Sequence, residues 1–340
     1  MSSFFKSRKI LSTISAGVFL SSVIYINVLA TTLTTETNLE VKRFDFKNEK
    51  FIAPMKTNFL SWINQCIIST HTPHHNGYDM VYKIGEIQVI EGKFQYGDFR
   101  KDLENEGVSI YEYSLDNSNA TWKKLGRSIT DSDGRIKYDI PSNMMLSAGL
   151  HLIKLYVEGD GTETNMYIQV LDSKKKYVVF DLDGTLTTSD FENIAQYASE
   201  FFNANYIAKM YTNANNVVDY YASKGYGILY LSARPYWLSE ESQSWCINKN
   251  MPMGLLHVSA GSEILTGQPA AIFKTEYLNQ LKAKGIEFCY GYGNTSTDVQ
   301  AYENVGVDKK NIFTIGEEAG VAASTPIDTY TNHLARLSLR

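Results

Sequence analysis

Two aspartates separated by one residue, Asp181 and Asp183, stand in the run Lys176-Tyr-Val-Val-Phe-Asp-Leu-Asp-Gly-Thr185. Carboxylates that close repel each other unless a cation or a shared proton compensates, so the pair predicts bound Mg²⁺. The element that must position them is the apolar stretch Tyr177 to Phe180, which reads as a strand buried on both faces of a parallel sheet. Open α/β sheets bind ligands at the carboxyl ends of such strands, and Gly184 lets the backbone turn away just beyond. A plain Asp- and Gly-rich turn is the competing reading; the strand in front of it argues against that.

Other segments supply what phosphoryl chemistry would need, namely groups that hold phosphate oxygens and complete a metal sphere. Gly227 to Leu231 reads as a second buried strand ending at Ser232, whose hydroxyl and N–H suit a phosphate oxygen, with a helix expected from about Pro235. Lys274 is expected to open a helix running to about Lys284, where it opposes the helix dipole and so asks for an anionic neighbour; a surface lysine is the alternative. A third strand, Ile286 to Tyr290, leads through glycines to Asn294 and Asp298 at a helix start. Both are candidate Mg²⁺ ligands beside Asp181 and Asp183.

Asp-x-Asp-Gly-Thr after an apolar strand resembles the signature of the haloacid dehalogenase-like phosphatases, filled by Asp181, Asp183 and Thr185. The resemblance implies Asp181 as nucleophile, forming an aspartyl-phosphate, and Asp183 as general acid then base. It narrows with Asp181 to Asp190, Tyr230-Leu-Ser-Ala-Arg-Pro235, Phe273-Lys-Thr-Glu276, Gly293-Asn-Thr-Ser-Thr-Asp298 and Ile312-Phe-Thr-Ile315. Together these resemble the lipin-type domain, the phosphatidate phosphatase module of lipins, also found at the carboxyl end of large phosphatidylinositol-transfer proteins. The likeness covers roughly residues 177 to 316. It implies catalysis by Asp181, Asp183, Ser232 and Lys274, a phosphate cradle of Gly184, Thr185, Ser232, Ala233 and Lys274, and Mg²⁺ held by Asp181, Asp183, Asp298 and Asn294. The substrate it implies is phosphatidate or a related phospholipid. A domain that binds such headgroups without hydrolysis is the alternative, and the presence of Asp183 favours catalysis. The amphipathic amino-terminal helix and long basic stretches of lipins have no counterpart here.

The first thirty residues differ from the rest. Lys6, Arg8 and Lys9 precede an uncharged stretch, Ile10 to Ala30, closing on Val28-Leu-Ala30, which reads as a secretory signal peptide over residues 1–30. Twenty-one uncharged residues also suffice to span a bilayer of ~30 Å, so an uncleaved anchor over residues 10–30 is the alternative localisation. Removing the segment shifts the net charge from −5 to −8. An acidic chain is a poor nucleic-acid binder, and the expected partner is a phosphorylated small molecule or a phospholipid headgroup. Of the cysteines, Cys289 reads as a buried thiol, and a Cys66–Cys246 bridge has no support in spacing. Asn119-Ala-Thr121 and Asn294-Thr-Ser296 fit the glycosylation pattern, the second within the expected active site.

Residues 31–78 read as a linker with a short helix around Asn58 to Ile68. His71, His74 and His75 fall beside Pro73 and Gly77 and read as a solvated loop, with metal binding as the alternative. Residues 79–172 carry short β-patterned runs, 84–96, 108–113, 136–140, 150–157 and 166–171, which argue an antiparallel sandwich of roughly immunoglobulin-like type. Asp131-Ser-Asp133-Gly134 is read as a tight turn rather than a calcium loop, because the remaining ligands are missing. After Ser173-Lys-Lys-Lys176, a solvated linker or a peripheral membrane contact, strands alternate with helices to residue 340, the mark of a doubly wound, mainly parallel α/β sheet. Residues 191–225 read as helical, with Phe201, Phe202 and Tyr206 in an apolar stripe and Tyr220 and Tyr221 in a second helix, too short for a large cap. Tyr236, Trp237 and Trp245 are either core or the lining of an entrance.

Overall fold

The computed structural model describes residues 39–43, 50–188 and 208–339. The proposed signal or anchor segment and the expected helical stripe with Phe201, Phe202 and Tyr206 lie outside these residues. After a short helix α1 (Trp62–Ile67) come β1 (Pro73–Gly77), β2 (Met80–Lys83), β3 (Val89–Tyr96), β4 (Lys101–Asp102), β5 (Gly107–Ser114), β6 (Lys123–Ile129), β7 (Arg135–Asp139), β8 (Gly149–Val157) and β9 (Glu163–Leu171). One sheet joins β1, β3, β4 and β7; the other runs β2-β9-β8-β5-β6. Strand alternation builds the core between them. Ile90 and Phe94 face Val108, Ile110, Ile153, Leu155, Met166 and Ile168, all fully buried. The sandwich is antiparallel except where β2 runs parallel to β9.

It also begins earlier than residue 79, because His74 and His75 are paired to Gln95 and Phe94 in the β1–β3 ladder. The solvated-loop reading is therefore corrected: a proline and a glycine bracket an edge strand rather than a turn. His75 is buried against Phe94 and Tyr96, and burial pushes its imidazole down to about 3. His74 instead reaches Glu240 at 3.3 Å, so the two rings face opposite ways and form no metal site. Asp131 Oδ1 accepts the N–H groups of Asp133 and Arg135 around Gly134, whose φ is +64°, which is the tight turn expected.

The α/β half comprises β10 (Lys175–Asp181), α2 (Ala214–Ser223), β11 (Gly227–Pro235), α3 (Ser239–Asn248), β12 (Leu255–Ser259), α4 (Gly267–Lys284), β13 (Ile286–Gly293), α5 (Ser296–Asn304), β14 (Ile312–Thr314), β15 (Thr325–Pro326) and α6 (Tyr330–Leu337). Its six strands are parallel in the order β12-β11-β10-β13-β14-β15. Tyr177, Val178, Val179 and Phe180 of β10 are at most 2% exposed, which is why that strand lacks polar alternation. The chain leaves β10 toward β11 and β12, then returns to β13 on the other flank. The reversal between β10 and β13 is the switch point where such sheets open a crevice.

The two halves share a seam. Leu152 and Tyr167, on the outer face of β8 and β9, pack into the α/β core, so these strands are buried on both sides. Within the seam the buried Asp79 carboxylate accepts the Tyr167 N–H and the Leu256 N–H, each at 2.7 Å. Arg100 pairs with Glu241 at 3.0 Å beside the His74–Glu240 contact. All three cysteines are free; Cys246 is the buried one, whereas Cys289, expected to be buried, is only half covered on β13.

Candidate active site

Asp181 closes β10, and the chain turns at once through Gly184, whose φ of +66° only glycine adopts without strain. Leu186 N–H and Thr187 N–H both return to Leu182 O, and Gly184 N–H donates to Thr187 Oγ1, so the loop is self-bonded. Thr185 is fully buried and donates its hydroxyl to Asp181 Oδ2 at 3.0 Å. From the last helix, Tyr330 donates its hydroxyl to Thr185 O at 3.0 Å and pins the turn from behind.

Lys274 meets this loop from α4. That helix begins at Gly267, not at Lys274, because Thr266 serves as N-cap and Pro269 is tolerated in a first turn whose N–H groups are unpaired anyway. The expectation that Lys274 opposes a helix dipole is corrected accordingly; it lies in the helix interior and its anionic neighbours are direct. Its Nζ sits 2.7 Å from Asp181 Oδ1 and 2.6 Å from Asp298 Oδ1. Asp298 is placed by a capping box at the start of α5: Thr295 is the N-cap, and Asp298 Oδ2 accepts the N–H groups of Thr295 and Asn294. Gly293 makes room for it, since a Cβ there would lie 2.4 Å from Asp298 Cβ.

Asp183 is held differently. Arg234, absent from the residues expected to act, donates Nε and Nη to both Asp183 oxygens, at 2.7 Å for the shortest contact, and Ser232 Oγ donates to Asp183 Oδ2 at 2.9 Å. Ser232 therefore orients a carboxylate in this arrangement instead of facing the cleft. The signal for Arg234 was its position at the end of an apolar strand, because an arginine is almost never buried without a counter-charge.

Burial pushes the Asp181 carboxyl up to about 8, with the neighbouring Asp298 and Asp183 charges adding to it and Lys274 opposing. Burial alone would lower the Lys274 ammonium, but Asp181 and Asp298 outweigh it and hold the group well above its ordinary value. In the same way Asp183 outweighs burial to raise Arg234.

The expected Mg²⁺ sphere fits these residues in part. A carboxylate offers about four lone-pair directions. Asp183 is engaged by three donor hydrogens, from Arg234 Nε, Arg234 Nη and Ser232 Oγ, and is the most occupied of the expected ligands in this arrangement. Asp181 is engaged only by Lys274 and Thr185, and Asp298 Oδ1 only by Lys274. The Asn294 amide oxygen lies 3.4 Å from Thr185 Oγ1, at the same spot. Asp181, Asp298 and Asn294 suit a hard divalent cation, and once Asp181 is ionised three carboxylates against two cations leave one negative charge to attract it. Among the described residues no group of three or more His, Cys, Asp or Glu side chains is arranged to hold a metal ion by itself.

At these groups opens a cleft of mixed lining. It is lined by the charged and polar groups of Asp181, Asp183, Arg234, Lys274, Asn294 and Asp298, and by the apolar side chains of Ile264, Leu265 and Ala270. Ala233 also lines it, whereas Gly184, Thr185 and Ser232, expected in the phosphate cradle, are turned to the internal bonds described above. Trp237 packs with Leu238 and Ile264 on the apolar side, while Trp245 is core and donates to Ala208 O.

A family model described as the LNS2 domain of PITM 1-3 matches residues 178–316, and one described as the beta-sandwich domain of PITM 1-3 matches residues 73–170. Protein retinal degeneration B of Drosophila melanogaster is 30% identical over 269 residues, 78% of this chain and 20% of its own length. Membrane-associated phosphatidylinositol transfer protein 3 of Homo sapiens is 30% identical over 246 residues, 72% of this chain and 24% of its own. The chain thus spans about a fifth to a quarter of the length of the curated relatives it matches.

Proposed function

For a chain that joins a PITM-type β-sandwich domain to an LNS2 domain, we propose a phosphomonoester phosphatase acting on phosphatidate or a related phospholipid. The observation that carries this reading is the buried Lys274 ammonium between Asp181 and Asp298 at the mouth of the switch-point crevice, 2.7 Å and 2.6 Å away. Asp181 attacks phosphorus in line and the ester oxygen leaves, giving an aspartyl-phosphate that water then hydrolyses. Lys274 holds a transferring oxygen and offsets the charge that develops on it. Asp181, Asp298 and Asn294 would hold Mg²⁺, which would supply the further positive charge that a phosphate dianion requires. Arg234 lines the cleft, so an entering dianion competes with Asp183 for the guanidinium. That exchange frees Asp183, which takes up a proton from solvent, gives it to the leaving ester oxygen and then accepts one from the attacking water. Ile264 and Leu265 give the glycerol and acyl portion an apolar wall, which favours a lipid over a sugar phosphate.

A second reading, headgroup binding without hydrolysis, is favoured by the engagement of Asp183 with Arg234 and Ser232. While that pair is closed, Asp183 cannot take part in proton transfer. One experiment separates the two. The purified chain is incubated with phosphatidate vesicles or with glycerol phosphate in Mg²⁺, and inorganic phosphate is measured beside Asp181→Asn. Phosphate release from phosphatidate by the wild type alone supports hydrolysis, whereas flotation with the vesicles and no release supports binding. Export through residues 1–30 is likewise a proposal, tested by sequencing the amino terminus of the mature chain.

A further inference from the structure

A sheet needs a cover on each apolar face, and the five-stranded sheet of the sandwich is covered unevenly. Its inner face closes on the sandwich core and the outer face of β9 on the α/β core. Over β5, β6 and β8 the outer face carries a strap of extended chain from residue 50 to residue 57. Tyr156 donates its hydroxyl to Pro54 O at 2.9 Å, and Thr57 N–H donates to Glu158 O at 2.7 Å, fixing that strap. Phe51 is its inward anchor. Its ring lies 5.0 Å from Tyr111 and 5.1 Å from Trp122, with the Lys154 ammonium, paired to Glu163, 5.1 Å above it.

Beside the strap an open cleft of about 720 Å³ remains, lined by aromatic rings and by Lys50 and Lys124. No carboxylate is among the described residues that line it, in a chain whose net charge is −5. The Trp122 ring forms the floor of the cleft, packed against Phe51 and Tyr113. Ile52 and Met55 stand on the strap 91% and 92% exposed, although two large apolar side chains so close together gain nothing from water. Tryptophan and tyrosine at headgroup depth, lysines toward the charged layer and aliphatic side chains beyond them are the composition of a membrane-contacting surface.

We propose that this face of the sandwich docks on an anionic lipid bilayer. Lys50 and Lys124 meet the negative headgroups, and Ile52 and Met55 enter the acyl boundary. Charge complementarity selects this occupant over an apolar protein partner, which would leave two lysines unpaired in the interface. The contact is separate from the Asp181 cleft. It is therefore tested with phosphatidylserine, which carries no phosphomonoester.

The full chain is floated with vesicles of phosphatidylcholine, with and without phosphatidylserine. Wild type is expected to float only with the anionic vesicles and to lose binding steeply as salt is raised. Lys50→Glu with Lys124→Glu should lower the bound fraction by roughly tenfold or more. Ile52→Ser with Met55→Ser should weaken binding while leaving the melting temperature unchanged, because these side chains contact solvent. Quenching of tryptophan fluorescence by brominated lipid should fall in Trp122→Phe. Flotation of the charge-reversed variant at the wild-type level, equal binding to neutral vesicles, or no binding by wild type would each overturn the proposal. Asp181→Asn should float like wild type whether or not the chain is a phosphatase, so the two readings fail separately.

Discussion

Lys274 holds its positive charge between Asp181 and Asp298, and all three side chains are at most 6% exposed. Removing one partner of a buried ion pair leaves an uncompensated charge, so Lys274→Ala is expected to cost about 3–5 kcal/mol, read from urea unfolding. Lys274→Met should cost less, because a matched apolar volume fills the gap. Asp181→Asn keeps an oxygen for Lys274 or Thr185 and should fold normally. On the phosphatase reading it loses phosphate release by on the order of 10³-fold or more, checked in single-turnover assays. An active Asp181→Asn would exclude covalent catalysis. The acidic residues of this site were legible because their types and local spacing are diagnostic, and Lys274 because an anionic partner explained it. Arg234 was not, since its meaning comes from Asp183, 51 residues away in sequence.

At the level of elements, the start of α5 is a compact device. Thr295 and Asp298 satisfy each other's backbone donors, while Gly293 lets the Asp298 side chain lie against the end of β13. Gly293→Ala would place a methyl group 2.4 Å from Asp298 Cβ and 2.8 Å from its Cγ, so the Asp298 side chain would have to shift. We expect a cost of about 1–3 kcal/mol and, on the phosphatase reading, a larger effect on kcat than on KM, because Asp298 moves relative to Lys274. Rescue of the melting temperature without rescue of activity by a second, distant stabilising substitution would separate the two effects. Thr295-x-x-Asp298 is readable as a cap from sequence. The true start of α4 is not, because Gly267-Gln-Pro269 looks like a break until the N-cap geometry of Thr266 is seen. The same ambiguity hid β1, whose Pro73 and Gly77 belong to an edge strand that exists only through pairing with β3.

For the whole molecule, the seam rests on Asp79, a carboxylate without a cation that joins β9 to β12 through two backbone N–H groups. Burial raises its carboxyl from 3.8 to about 7 despite those bonds. The unfolded chain releases this proton near pH 4 and the folded chain near pH 7, so between them the folded state binds more protons. Stability therefore declines as pH rises through that window, and the penalty is complete above it. The effect is on the order of a few kcal/mol. Melting temperatures measured from pH 4 to 8 should fall more steeply for wild type than for Asp79→Asn; equal slopes would dismiss this account.

What the residues determine by themselves is local. Four apolar side chains in a row before Asp181 can only be a strand closed on both faces, and Gly184 then obliges the chain to turn with two carboxylates at its edge. Alternating runs likewise announce the sandwich. The charge partners were decided by tertiary structure: Arg234 on Asp183, Lys274 shared by two aspartates, and Asp79 bonded to Leu256 across 177 residues. Such pairings depend on which strand ends the sheet order brings together, and no sequence spacing encodes the low-dielectric surroundings that make each of them necessary.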